Sequence, residues 1–348
     1  MLLLIGCVQA PVLDPPPIEF HPPDEVGPYG AGADTFTWTD DRGKEMVAEV
    51  WFPTEPGCSP DEYEELPMIG MACRGVDPSG DGWPLVAFSH GYGGIRYQSI
   101  FLTEWLATHG FVVVAPDHEH NTLLDLDDAY TTEVALERPG DVIRAVDQLA
   151  VARPGLAEAD RYAMSGHSFG AWTTLAVAGG DADLAYLEAF CAESPEYDLC
   201  GLDLPPEAAL EDGPDARVVA AMPMAPVGWY TYASLDAMPP TLLMGGERDQ
   251  LEAEILPLYD RLPVPARLSV LADGGHYAYT DICELGAIAE QFAEDCGEVE
   301  AGYIEMDVAH EIVRAQATAF FAYAMRGDAR YLDWLGAEWP EVDWEERL

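Results

Sequence analysis

Short apolar runs recur along the chain, each closed by glycines or a polar cluster and most followed by a stretch with helical spacing. Pro84–Ser89, Phe111–Ala115, Asp160–Ser165, Pro240–Met244 and Leu268–Leu271 read as strands of a buried sheet, with Leu268–Leu271 the last of them. Between them, residues 98–109 place Phe101, Leu102, Trp105 and Leu106 on one helical face, with Gly110 as the stop. Residues 132–152 and 171–178 are the next helices. Upstream, Thr35–Trp38 and Met46–Phe52 alternate like antiparallel strands. Strands alternating with helices predict a mostly parallel central sheet flanked by helices. The expected organisation is one α/β domain over 31–348, since such folds run past 250 residues as one unit. Loop insertions are expected near 57–82 and 181–215. The second, acidic one is either a lid near a pocket or a solvated excursion. No internal repeat is visible.

The run Asp160–Ser165 ends in Gly166-His167-Ser168-Phe169-Gly170 and opens into the 171–178 helix. Strand, G-x-S-x-G, helix is the context of a nucleophile elbow, where a strained turn exposes the serine hydroxyl. The motif alone is only suggestive in a chain with 32 glycines. Its partners fall in the required order. Ser89-His90-Gly91-Tyr92-Gly93-Gly94 follows an earlier strand, so the backbone N–H groups of Tyr92 and Phe169 are the candidate oxyanion donors. Asp249 lies just past Pro240–Met244, with Glu247 in reserve, and His276 follows Gly274-Gly275 after Leu268–Leu271. The order Ser168, Asp249, His276 is that of the α/β-hydrolase fold, with His276 as base and Asp249 as the group orienting it. Asp117-His118-Glu119-His120 invites a metal reading, but its two imidazoles are two residues apart beyond a strand, unlike the helical H-E-x-x-H. A mouth loop near the site is expected there instead.

Ser89–Gly94, the stretch Phe101–His118, GHSFG and His276–Cys283 (HYAYTDIC) resemble platelet-activating-factor acetylhydrolases and the bacterial proteins called predicted dienelactone hydrolases. Ala220–Pro226, Asp249, Leu256–Asp260 and Gly275-His276 are similar, in order, to cutinase-type polyester hydrolases. The likeness covers residues 80–290. It implies a serine carboxylic-ester hydrolase, without metal or cofactor, acting on short- to medium-chain, lipid-like or polyester esters. Ser168 stands where true dienelactone hydrolases carry a cysteine. The resemblance also marks Trp229, beside the loop after the sixth core strand, as substrate-binding, and Tyr92 and Tyr277 look placed to line the same cleft. A surface protein using the fold only for binding, and an acyl transferase, remain open.

Seven cysteines change the picture of compartment. Cys58/Cys73, Cys191/Cys200 and Cys283/Cys296 each bracket a polar, loop-like stretch, which points to disulfides and an oxidising compartment, although six cysteines allow 15 connectivities. Cys7, in Leu4-Ile5-Gly6-Cys7, reads as a lipobox, so residues 1–7 are expected to be the remnant of a lipoprotein signal and Cys7 the lipidated residue. Seven prolines between Val8 and Gly30 make residues 8–30 a semi-rigid spacer. An exported monomer, either a bacterial envelope lipoprotein or secreted, is the expectation, touching membrane only through Cys7. The net charge is −47, with Lys44 the sole lysine. Such a field repels nucleic acid and anionic lipid. It fits either saline surroundings that screen it or a compositional habit of the source.

Overall fold

The computed structural model describes residues 19–63, 68–195, 197–201, 210, 212–285, 302–336 and 339–348. Strands β1 (Gly30–Thr39) and β2 (Glu45–Thr54) form a hairpin in register from Gly30↔Thr54 to Thr39↔Glu45. After a long loop come β3 (Trp83–Ser89), α1 (Ile100–Thr108), β4 (Val112–Pro116), α2 (Thr131–Ala152), β5 (Ala157–His167) and α3 (Phe169–Ala178). A short ribbon, β6 (Asp181–Ala182) with β8 (Tyr232–Ser234), flanks α4 (Leu184–Glu193) and β7 (Val218–Met224). The chain continues through β9 (Thr241–Gly246), α5 (Leu256–Arg261), β10 (Ala266–Leu271), α6 (Met306–Arg326) and β11 (Val342–Arg347). Nine strands make one sheet in the order β1-β2-β4-β3-β5-β7-β9-β10-β11, parallel from β4 to β10 and antiparallel at both ends.

Strand periodicity builds the two layers of core. In β3 Val86 and Phe88 face one side and Leu85 and Ala87 the other; in β4 Val113 and Ala115 oppose Val112 and Val114. The first side packs on α1 and α6 through Ile100, Phe101, Leu106, Ile312 and Phe320, and the second on α2, α3 and α5 through Val142, Val146, Leu175 and Leu258. Both faces are covered, so the central strands read as continuous apolar runs. This is the α/β-hydrolase architecture expected from the sequence. Among the described residues no helix is long and apolar enough to cross a membrane.

The structure departs from the sequence reading at the last strand and in the spacer. Leu268–Leu271 is not the last strand, because β11 (VDWEER) pairs along β10; it alternates between half-buried and exposed residues and lacks an apolar run. The spacer expected over 8–30 does not extend to its end. From residue 19 the chain lies on the domain: Phe20 meets Tyr331 (5.1 Å), Tyr29 meets Trp83 (5.1 Å), and Trp105 Nε1–H donates to Pro23 O (3.2 Å). Aromatic side chains there gain more by burial than by standing in water. The 57–82 insertion is tied down as well. Its Cys58–Cys73 disulfide sits where Cys73 exchanges backbone hydrogen bonds with Ala31 and Ala33, both 2.9 Å. Cys191–Cys200 closes the end of α4. Cys283 is disulfide-bonded, while Cys296 and Cys7 lie outside the described residues.

Two features of the charge distribution matter. Lys44 is caged by Glu137 (2.6 Å), Glu119 (3.3 Å) and Glu133 (3.4 Å); burial works against its charge, but the Glu137 and Glu119 carboxylates outweigh this and raise its pKa. Three buried histidines act in the opposite sense. Burial holds His109, His167 and His310 at about 3. Their folded values lie below the unfolded value, so the stability they contribute is complete above about pH 6.5 and is lost as pH falls from there toward 3. The expected result is a urea unfolding midpoint that declines steadily between pH 6.5 and 4. The decline should be shallower in His310→Gln, whose amide still donates toward Thr280 O, the acceptor of His310 Nε2–H at 3.2 Å.

Candidate active site

Ser168 stands between β5 and α3 at φ 57°, ψ −118°, a left-handed conformation that costs a non-glycine residue roughly 1–3 kcal/mol. Neighbouring backbone holds it there: Ser168 N–H donates to Met224 O on β7 (2.9 Å), and Ser168 O accepts from Ala171 N–H (2.9 Å) and Trp172 N–H (3.1 Å). The motif's glycines are steric requirements. A Cβ on Gly170 would collide with the carbonyl of Ser89, and one on Gly166 with the carbonyl of Gly170. Gly170→Ala is therefore expected to push β3 and the elbow apart, costing about 1–3 kcal/mol and at least tenfold in turnover; thermal melting and ester assays read both.

Two loops bring a base and an acid to this serine. His276 Nε2 lies 2.8 Å from Ser168 Oγ, and both Asp249 oxygens lie 3.1 Å from His276 Nδ1. The loops are stitched together by Glu247 N–H to Leu271 O and Arg248 N–H to Gly274 O, both 2.9 Å. Burial raises the Asp249 pKa, but the hydrogen bond and charge of His276 outweigh it, so the carboxyl sits below its usual range and is ionised at neutral pH. Glu247, the reserve acid, is exposed and instead accepts Asp273 N–H (3.1 Å). The arrangement can move a proton from the serine hydroxyl to a neutral imidazole whose other nitrogen is fixed by a carboxylate.

The glycine-rich loop lies beside the elbow. Gly94 N–H closes a turn on Gly91 O (3.1 Å), with Tyr92 at its second position. Phe169 is the first residue of α3, where helical N–H groups lack intrahelical acceptors. Tyr92 is 44% exposed, lies 6.4 Å from the Phe169 ring and donates its hydroxyl to Asp128. Tyr277 stands edge-on to His276 at 5.3 Å. Trp229 follows Gly228 beyond β7 and is pinned by Nε1–H to Ala253 O (2.9 Å) and by Arg261 over its ring. A shallow apolar dimple, too small to hold more than about one water, lies at Gly93 and Gly94 between Met68, Ile95, Leu123 and Ile282.

Sequence reasoning missed the support behind the loop. Arg138, fully buried on α2, donates to Thr173 Oγ1 (3.0 Å), Asn121 Oδ1 (2.7 Å), Ser89 Oγ (3.0 Å) and His90 O. Burial lowers its pKa to about 9. The loop after β4 lies against the glycine-rich loop, with Leu123 N–H donating to Gly94 O (2.7 Å), but its His118 side chain turns inward and is buried between Ser89 Oγ (2.9 Å) and Asp141 Oδ2 (3.0 Å). That string copies the Ser168 geometry, but Ser89 is wholly inaccessible and serves to anchor the loop. His120 stacks on Tyr130 at 3.9 Å, and Glu119 pairs with Lys44. Asp281, Glu284 and His310 do bring ligand-type atoms within 4.8 Å, yet Asp281 Oδ2 already accepts Phe101 N–H and His310 donates to Thr280 O. No sequence signal marked Asp281 or His310, because the backbone groups they meet lie 180 and 30 residues away.

Three comparisons bear on the site. The family model for platelet-activating factor acetylhydrolase, isoform II, matches residues 72–134, which hold the glycine-rich loop but not Ser168, Asp249 or His276. "Cutinase est2" of Thermobifida alba is 29% identical over 201 residues, covering 56% of this chain; the chain spans about half of that relative, 52% of its length. A ferulic acid esterase structure from Streptomyces cinnamoneus superposes with a TM-score of 0.64 at 21% identity, over 92% of this chain and 98% of the esterase. The chain has the α/β-hydrolase fold and is similar to serine esterases of cutinase type.

Proposed function

We propose that the chain is a serine carboxylic-ester hydrolase acting through Ser168, His276 and Asp249. The observation that carries this is the 2.8 Å contact of His276 Nε2 with Ser168 Oγ while Asp249 occupies the other ring nitrogen. Ser168 Oγ attacks the ester carbonyl as its proton passes to His276 Nε2. The oxyanion is held by the N–H groups of Tyr92 and Phe169, each worth about 2.7–4 kcal/mol of transition-state stabilisation. His276 returns the proton to the departing alcohol, leaving an acyl group on Ser168. Water, deprotonated by His276, then releases the acid. This chemistry needs no metal or cofactor.

Short- to medium-chain esters, lipid-like or polymeric, are the proposed substrates, in line with the likeness to a cutinase, and Tyr92, Tyr277 and Trp229 are the proposed substrate-binding residues. Disulfides persist in oxidising compartments, which supports export. Anchoring through Cys7, a spacer over 8–18 ahead of a single catalytic domain, and a monomeric state belong to the same proposal. Covalent labelling with a fluorophosphonate, followed by peptide mapping, tests the reaction class. Modification confined to Ser168 is expected; an unlabelled protein, or a label on another serine, would refute the assignment.

A further inference from the structure

We infer that Gln98 and His167 are positioning residues that lock the loop bearing the Tyr92 N–H to the segment bearing the base. This rests on the proposed function. His167 is the first variable residue of G-x-S-x-G, fully buried beneath the elbow, and Gln98 lies just ahead of α1. Three hydrogen bonds run in series: Gly91 N with Gln98 Oε1 (3.0 Å), Gln98 Nε2 with His167 Nδ1 (3.2 Å), and His167 Nε2 with His276 O (2.9 Å).

Only one assignment of protons satisfies all three. A backbone carbonyl can only accept, so His167 carries its hydrogen on Nε2. Burial keeps this imidazole neutral, so Nδ1 is a bare acceptor. The Gln98 amide must then turn its nitrogen to His167, which leaves its oxygen for Gly91 N–H. The second hydrogen of the Gln98 amide points to Ser99 Oγ (3.5 Å), so every donor in the chain meets an acceptor. The same region is fastened to the base segment twice more: Gln98 O accepts Asp281 N–H (2.8 Å), and Ser99 Oγ–H donates to Tyr279 O (2.9 Å). Gly91 immediately precedes Tyr92, so the chain sets where that N–H points relative to His276. A donor displaced by about 1 Å loses up to about 100-fold in rate.

Gln98→Met keeps the side chain's length and removes its hydrogen bonds to Gly91, His167 and Ser99. Its kcat on p-nitrophenyl butyrate and its rate of fluorophosphonate labelling are expected to fall together by about 10- to 100-fold, with KM within about threefold of the parent. Gln98→Glu supplies the second readout. When protonated, the new carboxyl has the amide's pattern of one acceptor and a donor, so its deficit should shrink as pH falls from 8 to 6. His167→Phe keeps the ring and breaks the chain independently, which guards against a misfolded Gln98→Met. Turnover within threefold of the parent in the folded Gln98→Met or His167→Phe protein, or a Gln98→Glu deficit independent of pH, would overturn the inference. A parent enzyme labelled at Ser168 alongside an unimpaired Gln98→Met sinks only this link. A parent that resists labelling sinks the reaction class itself.

Discussion

Replacing Ser168 by alanine is expected to lower kcat on p-nitrophenyl acetate, butyrate and octanoate by about 10⁶-fold, close to the uncatalysed floor set by the remaining binding groups. The size follows from concerted action. Without Oγ, His276 has no proton to take and no acyl-enzyme forms, so the oxyanion donors can assist only a direct attack by water. Folding should survive, because the backbone bonds of Ser168 to Met224, Ala171 and Trp172 do not involve its hydroxyl. The left-handed φ of 57° persists whichever of the two residues stands there. Melting temperatures measured on both proteins separate loss of chemistry from loss of fold. Equal hydrolysis by the two would leave the chain a binding scaffold.

Asp249→Asn should cost about 10⁴-fold in kcat at nearly unchanged KM. The carboxylate, only 6% exposed, accepts the Nδ1 hydrogen of His276 and so leaves Nε2 as the acceptor facing Ser168. An amide nitrogen placed there donates toward Nδ1 and favours the tautomer with hydrogen on Nε2, which cannot take the serine proton. Glu247→Gln is the control. Its carboxylate faces Asp273 N–H and solvent, so kcat within about threefold of the parent is expected. A loss at Glu247 matching that at Asp249 would transfer the acid's role.

The proposed reacting groups were legible because the chemistry asked of them dictates their local sequence. A serine on a strained turn needs Gly166 and Gly170, where β-carbons would strike Gly170 O and Ser89 O, and that need is written as G-x-S-x-G. Asp249 and His276 each follow an apolar strand that announces itself by composition. The supports were not legible, because Arg138, Gln98 and His167 each bond a partner far along the chain, from 35 residues away for Thr173 to 109 for His276, and no local spacing joins them. Polar side chains at such positions look like ordinary helix and loop residues until the chain is folded. β11 was missed for a related reason: an edge strand buries little, so its sequence carries charge in place of an apolar run. The proline count misled over residues 19–29, where Phe20 and Tyr29 find aromatic partners far along the chain.

Lys44 has a practical consequence at the bench. It is the only lysine, and three glutamates hold its ammonium in the protonated form that does not react. Succinimidyl dyes, aldehyde fixatives and amine-coupling chips will find almost no handle on this protein's side chains, so conjugation or immobilisation must go through carboxylates or an added tag. A digest cutting after basic residues will in turn yield a map written almost wholly in arginine.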